Sequence, residues 1–170
     1  MVGEVVSLRP WRTDDIDDVF TACQDPDTQR WTMIPVPYRI EHARGFVDEF
    51  APTQWTSRQG APFAIETGDG RLAGSCGIVR LEADHLVGEI GYWVAPWARA
   101  KGVASGAVRL VTGWAMDGLG LDRVELHIEP ENVASCTVAE RCGYVREALL
   151  RSRIVHRGAR RDLVIYSRLR

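Results

Sequence analysis

The chain has 170 residues, 45% apolar and 26% charged, which is enough to bury a core unaided and too few for two ordinary domains. Twenty-three acidic residues against 21 basic ones leave a formal charge of -2, so the strong positive field behind non-specific nucleic-acid binding is missing. Cys23, Cys76, Cys136 and Cys142 form no C-x-x-C pair, the N-terminus lacks a signal-peptide apolar region, and no stretch approaches the roughly 20 apolar residues that span a bilayer. These features predict a cytoplasmic protein with free thiols and with neither nucleic acid nor membrane as partner.

Val5, Val6 and Leu8 form an opening strand closed by Arg9-Pro10. A helix follows, capped by Thr13 and carrying Ile16, Val19, Phe20 and Cys23 at helical spacing, until Asp25-Pro26 stops it. Residues 30 to 40, with Pro35 and Pro37 among Trp31, Met33, Ile34 and Tyr38, read as an apolar loop that covers something. A second helix from Ile40 to Phe50 presents Ala43, Phe46, Val47 and Phe50, and Pro52 ends it.

The period then changes. Ala61 to Glu66, Leu72 to Arg80 and Val87 to Ala95 alternate as strands, and the first two are joined by a Gly68-Asp69-Gly70 turn. Val103 to Met116 is helical, Val124 to Ile128 a strand, and Val133 to Cys142 a helix ended by Gly143. Tyr144 to Ile154 and Asp162 to Leu169 close the chain as strands around a His156-Arg157-Gly158 turn. The order β-α-α-β-β-β-α-β-α-β-β packs most economically as one domain, a mixed sheet with helices on its faces. Residues 141 to 170 hold nine arginines against Glu147 and Asp162. Arginine supplies all of the chain's basic residues except Lys101, so a general arginine bias accounts for much of that tail.

The run Val94-Ala95-Pro96-Trp97-Ala98-Arg99-Ala100-Lys101-Gly102-Val103-Ala104 places a basic turn between a strand and a helix. A helix start leaves about four amides unpaired and carries roughly half a positive charge, which suits a phosphate or diphosphate. Gly102 lets an anion approach the backbone, and Arg99 and Lys101 reinforce the field. A solvated helix start of the same composition is the alternative.

The R-x-x-G-x-A pattern of Arg99 to Ala104 follows Gly91-Tyr92-Trp93-Val94 and precedes Asn132-x-x-Ser135 and Gly143-Tyr144, and in this order it resembles the GNAT acyltransferase superfamily. Leu8-Arg9-Pro10-Trp11, the Gly-Tyr-Trp-Val segment and the stretch Gly158 to Asp162 resemble the branch that acetylates the N-terminal amine of ribosomal proteins. The resemblance implies an α/β (α+β) fold, a mixed central sheet of about seven strands with helices on both faces, and a cytoplasmic enzyme that uses acetyl-CoA. It places the diphosphate on residues 99 to 104 and makes Val94, Arg99, Ala100, Lys101, Gly102, Val103, Ala104 and Asn132 the cofactor-binding set. It also implies that the strand from Val87 to Ala95 splays from that of Val124 to Ile128, exposing backbone to the pantetheine arm. Ala100 departs from the branch, where glycine is common.

An acetyl thioester is already activated, so transfer to an amine needs alignment, a neutral nucleophile and charge stabilisation, with no covalent enzyme intermediate. Glu89 is the first candidate for the base, resembling a family glutamate assigned to amine activation; a solvent-facing strand residue is the alternative, and Asp162 or Glu125 are the substitutes. Ser135 resembles the position that protonates the departing thiolate, and Asn132 either caps its helix or touches the cofactor. Cys136 reads as core packing. The four histidines His42, His85, His127 and His156 show no metal spacing, so no metal is expected. Trp31, Met33, Tyr38 and Trp55 form either an apolar substrate wall or a plain hydrophobic cap. The resulting expectation is an N-acetyltransferase, monomeric or homodimeric, that attacks with a protein or peptide N-terminal α-amine. A small-molecule amine acetyltransferase and a non-catalytic acyl-CoA-binding module are the alternatives.

Overall fold

Alternating apolar side chains build a seven-stranded sheet in the computed structural model, which describes residues 1–170. β1 (Val6–Arg9), β2 (Ala61–Thr67), β3 (Leu72–Glu82), β4 (Val87–Val94), β5 (Arg123–Ile128), β6 (Val145–His156) and β7 (Ala159–Leu169) lie in the order β1-β2-β3-β4-β5-β7-β6. Every neighbouring pair is antiparallel except β4 and β5. A parallel pair cannot be joined by a tight turn, and α5 (Val103–Gly113) supplies the crossover between these two strands.

One face of the sheet packs on α5 and α6 (Val133–Arg141), where Ile78, Ile90, Val124 and Leu126 meet Val103, Ala107, Val108 and Val111. The other face carries α1 (Ile16–Ala22), α2 (Pro26–Trp31), α3 (Ile40–Arg44) and α4 (Ala51–Ser57), with a second apolar cluster of Ile16, Val19, Cys23, Tyr38, Ala43 and Val47. Because strand residues alternate, burying Ile90, Val124 and Leu126 against α5 sends Glu89, Glu125 and His127 to the opposite face together.

Three local expectations give way to the observed chain. Asp25-Pro26 stops the first helix but also starts α2, since Asp25 accepts from the Thr28 amide at 2.8 Å and proline is tolerated in the first turn. Pro52 does not end the second helix: a π-helical turn over Gly45–Phe50 lets the chain restart as α4 with the proline in its first turn. Thr13 does not cap: its hydroxyl donates to Asp48 at 3.2 Å, Arg12 takes the cap position, and the Asp15 carboxylate accepts from the Arg12 amide at 2.9 Å and from Arg9 Nη2 at 2.7 Å.

Candidate active site

β4 and β5 pair only through Val87↔Arg123, Gly88↔Val124 and Glu89↔Glu125. Beyond Glu89, β4 stays bonded to β3 as far as Gly74↔Val94, and β5 stays bonded to β7 as far as Ile128↔Val164. Each strand therefore turns one backbone edge into the gap between them. A cleft of about 1200 Å³ runs along this gap, from the start of α5 to the segment following α2.

At one end stands the turn from Pro96 to Gly102. Trp97 anchors it, donating its indole N–H to the Leu72 carbonyl at 2.9 Å beneath the Arg71 guanidinium. Ala100 (φ 59°) and Gly102 (φ 76°) both adopt left-handed backbone, which swings the following amides toward the cleft. No protein acceptor meets the amides of residues 100 to 105; the next one, Gly106, bonds the Gly102 carbonyl at 2.9 Å and begins the regular ladder. A Cβ on Gly102 would find nothing within 4 Å. Free donors, an open approach and the α5 dipole together fit a diphosphate, so the residues present suit an acyl-CoA.

The two cations expected to strengthen this field are engaged with protein instead. The Arg99 guanidinium is clamped by the Asp25 carboxylate, the Thr28 hydroxyl at 2.9 Å and the Val94 carbonyl at 3.3 Å. Burial pushes the Asp25 carboxyl up, but Arg99 and Thr28 outweigh it and hold the group below its ordinary value. Lys101 donates to the Trp97 carbonyl at 3.0 Å and lies outside the cleft wall. Arg99 thus fastens the turn to α2, and the backbone amides rather than these side chains are left unpaired at the cleft.

Midway along the cleft, the Tyr92 hydroxyl and Ser135 Oγ are 2.7 Å apart. Asn132 Oδ1 accepts from the Ser135 amide at 3.2 Å, so Asn132 caps α6 while also lining the cleft. Burial raises the Tyr92 phenol above its usual range, with Ser135 acting against it, so it stays a neutral donor. On the other face of β4, Glu89 lies 3.2 Å from Arg80 Nη2 and 3.4 Å from His127 Nδ1. The opposite nitrogen of His127 bonds Glu125 at 2.7 Å, and Arg123 Nε reaches Glu125 at 2.6 Å. Burial raises the Glu125 carboxyl, yet His127 and Arg123 prevail and hold it low. The imidazole is thus oriented by one carboxylate and presented to the other.

Of the four residues expected to form an apolar substrate wall, Trp31 and Met33 line the cleft, while Tyr38 and Trp55 do not. Tyr38 is buried in the second apolar cluster. Trp55 packs its ring 5.0 Å from Phe63 and 5.8 Å from Trp114 and donates to the Pro62 carbonyl, tying α4 to the sheet. Phe46 and Phe50, stacked at 5.8 Å, take their places on the wall. Asp162, the substitute base, accepts from the Ser152 amide at 2.7 Å in the β6–β7 hairpin and does not line the cleft. Arg157 of that hairpin donates through Nε to the Gln29 carbonyl at 3.0 Å and through Nη2 to the Ile34 carbonyl at 3.3 Å, joining the hairpin to the segment that follows α2. Tyr92 is the residue that the sequence reading overlooked; its place in a strand that borders the turn, one step out of phase with Glu89, was the available signal.

The comparisons with known proteins agree with this geometry. Residues 6–145 match the family described as the acetyltransferase (GNAT) domain. YdaF of Bacillus subtilis, whose name assigns it provisionally to the ribosomal N-acetyltransferases, is 33% identical over 147 residues, 85% of this chain and 70% of YdaF. Among solved structures, the microcin C7 self-immunity acetyltransferase MccE, in complex with acetyl-CoA and AMP, superposes with a TM-score of 0.88 at 17% identity, covering 98% of this chain and 93% of MccE. The spermidine N-acetyltransferase of Vibrio cholerae, in complex with CoA and spermine, gives 0.82 at 18% identity over 96% of this chain and 95% of its own. The extent of the family match and the level of identity to YdaF leave one conclusion: the chain belongs to the GNAT acetyltransferases, in the branch that resembles ribosomal-protein acetyltransferases.

Proposed function

We propose that this protein acetylates the N-terminal α-amine of a protein or peptide, with Glu89 as the proton acceptor and Ser135, backed by Tyr92, as the proton donor. Acetyl-CoA supplies the acetyl group as an activated thioester. The observation that carries the reading is Glu89, set on the cleft wall and backed by His127 and Arg80 rather than turned out to solvent. An α-amine, with a reference pKa of about 7.7–8.0, gives up its proton far more readily than lysine at about 10.4, so one carboxylate suffices.

Glu89 takes the proton that leaves the amine as the N–C bond forms, and His127 Nδ1, 3.4 Å away, can relieve it of that proton. As the C–S bond breaks, Ser135 Oγ donates to the departing sulfur, and the Tyr92 hydroxyl at 2.7 Å passes its proton to the serine and regains one from solvent through the open cleft. Ser135 occupies the first turn of α6, where the helix dipole also favours a developing thiolate. The name of YdaF favours a protein terminus as acceptor. The four unpaired cysteines suit a cytoplasmic setting, and no helix is long and apolar enough to cross a membrane. The test is a CoA-release screen over N-terminal peptides and small amines, including polyamines. Turnover confined to peptides supports the proposal, turnover confined to small amines replaces the acceptor, and no turnover with intact CoA binding leaves a binding module.

A further inference from the structure

With Arg99 and Lys101 tied to protein atoms, the anion site at the α5 turn is served by backbone alone, and CoA brings a third phosphate on the ribose beside its diphosphate. The cleft wall holds four arginines, Arg80, Arg99, Arg141 and Arg153. Arg80 pairs with Glu89 and Arg99 with Asp25, while Arg153, on β6, stands at the acceptor end. Arg141 is the one left at the cofactor end, and no ion pair engages it.

Its position is fixed by two contacts between α6 and the first turns of α5. Cys142 Sγ lies 3.5 Å from the Ser105 carbonyl, and Arg109 Nη2 donates to the Arg141 carbonyl at 2.7 Å. Ala134, Thr137, Val138 and Arg141 recur at helical spacing on the cleft side of α6, so Arg141 lies about 10 Å along the helix from Ala134, beside the free amides of α5. A basic residue in a last helical turn ordinarily serves the terminal carbonyls. Here Arg109 already serves the Arg141 carbonyl and Arg168 serves that of Cys142 at 3.1 Å, leaving the Arg141 guanidinium without that duty. Three arginines thus surround this helix end, the neighbouring Glu140 carboxylate accepts from the Tyr166 hydroxyl at 3.2 Å, and Arg141 is the arginine that lines the cleft.

We infer that Arg141 binds the 3′-phosphate of the CoA ribose and so makes the site selective for the 3′-phosphorylated nucleotide. This rests on the acetyl-CoA reading above, and the test separates the two. Calorimetry with CoA and with 3′-dephospho-CoA is run on the full chain and on Arg141→Ala, with thermal unfolding of both proteins alongside. The parent is expected to hold CoA about 10-fold more tightly than the dephospho form, as one partly exposed charge-assisted contact allows. Arg141→Ala should lose that preference, keep its affinity for 3′-dephospho-CoA within about twofold, and show a weaker salt dependence for CoA. Equal weakening toward both nucleotides assigns Arg141 to the diphosphate and overturns the inference, as does an unchanged preference. A parent that binds neither nucleotide overturns the acetyl-CoA reading itself.

Discussion

Gly102→Ala separates what the turn does for the fold from what it does for the cofactor. Gly102 holds φ at 76°, and the added methyl would find no heavy atom within 4 Å, so the cost to the free protein is backbone strain alone. Left-handed backbone costs a non-glycine residue about 1–2 kcal/mol, and the stiffer unfolded chain returns about 0.4–1 kcal/mol of it. The net loss of about 1 kcal/mol should lower the melting temperature by about 2–4 °C for a domain of this length.

The same methyl stands in open space on a cleft-lining residue among the unpaired amides of residues 100 to 105. Displacing an anion enough to break one amide hydrogen bond forfeits about 1.5–3 kcal/mol, a loss in affinity of about 10- to 150-fold. Calorimetry with CoA, paired with urea unfolding of the apo protein, reads both quantities. The counterpart is Ala100→Gly: at φ 59° the alanine already bears the strain, so glycine there should gain about 0.5–1 kcal/mol and leave CoA affinity within twofold. Full CoA affinity in Gly102→Ala, accompanied by the expected loss of stability, would refute the assignment of this turn to the diphosphate.

Glu89→Gln should lower kcat about 100-fold and leave CoA affinity within about twofold; an unchanged kcat excludes Glu89 as the base. Trp55→Ala should cost about 2–3 kcal/mol in urea unfolding, moderated by the partial exposure of the ring, with acceptor KM unchanged. Met33→Ala should do the reverse, raising acceptor KM while stability moves by less than about 0.5 kcal/mol. A matching pattern in these two variants would place Trp55 on the substrate wall after all. The Glu147 carboxyl sits at about 2 because Arg123 and then Ser167 donate to it. A depressed folded-state pKa contributes stability above the ordinary carboxylate range that is lost as the pH falls toward about 2. Glu147→Gln should therefore unfold at lower urea than the parent at pH 7, with the gap closing in acid. A gap that widens in acid contradicts that sign.

The open turn before α5 was legible because its features are local. The free amides, the glycine and the preceding strand all lie within a dozen residues, and the helical period beginning at Val103 announces the dipole. The destination of the Arg99 side chain was not legible, since Asp25 lies 74 residues away and meets it only after α2 docks. His127 is a similar case. Its partners depend on the parallel register Glu89↔Glu125, and a shift of one residue would have turned the imidazole into the α5 core. Trp55 and Phe50 show the limit of reading aromatics by neighbourhood: Phe50 ends the second helical stripe and Trp55 follows it, but the π-helical turn over Gly45–Phe50 rotates α4 so that Trp55 meets Phe63 while Phe50 lines the cleft.

The guanidinium of Arg157 turns two banks that would otherwise drift apart into a hoop. Its acceptors, the carbonyls of Gln29, Thr32 and Ile34, are all neutral, so added salt does little to loosen the clasp. The clasp therefore holds the segment after α2 and the β6–β7 hairpin at one span whatever the ionic strength.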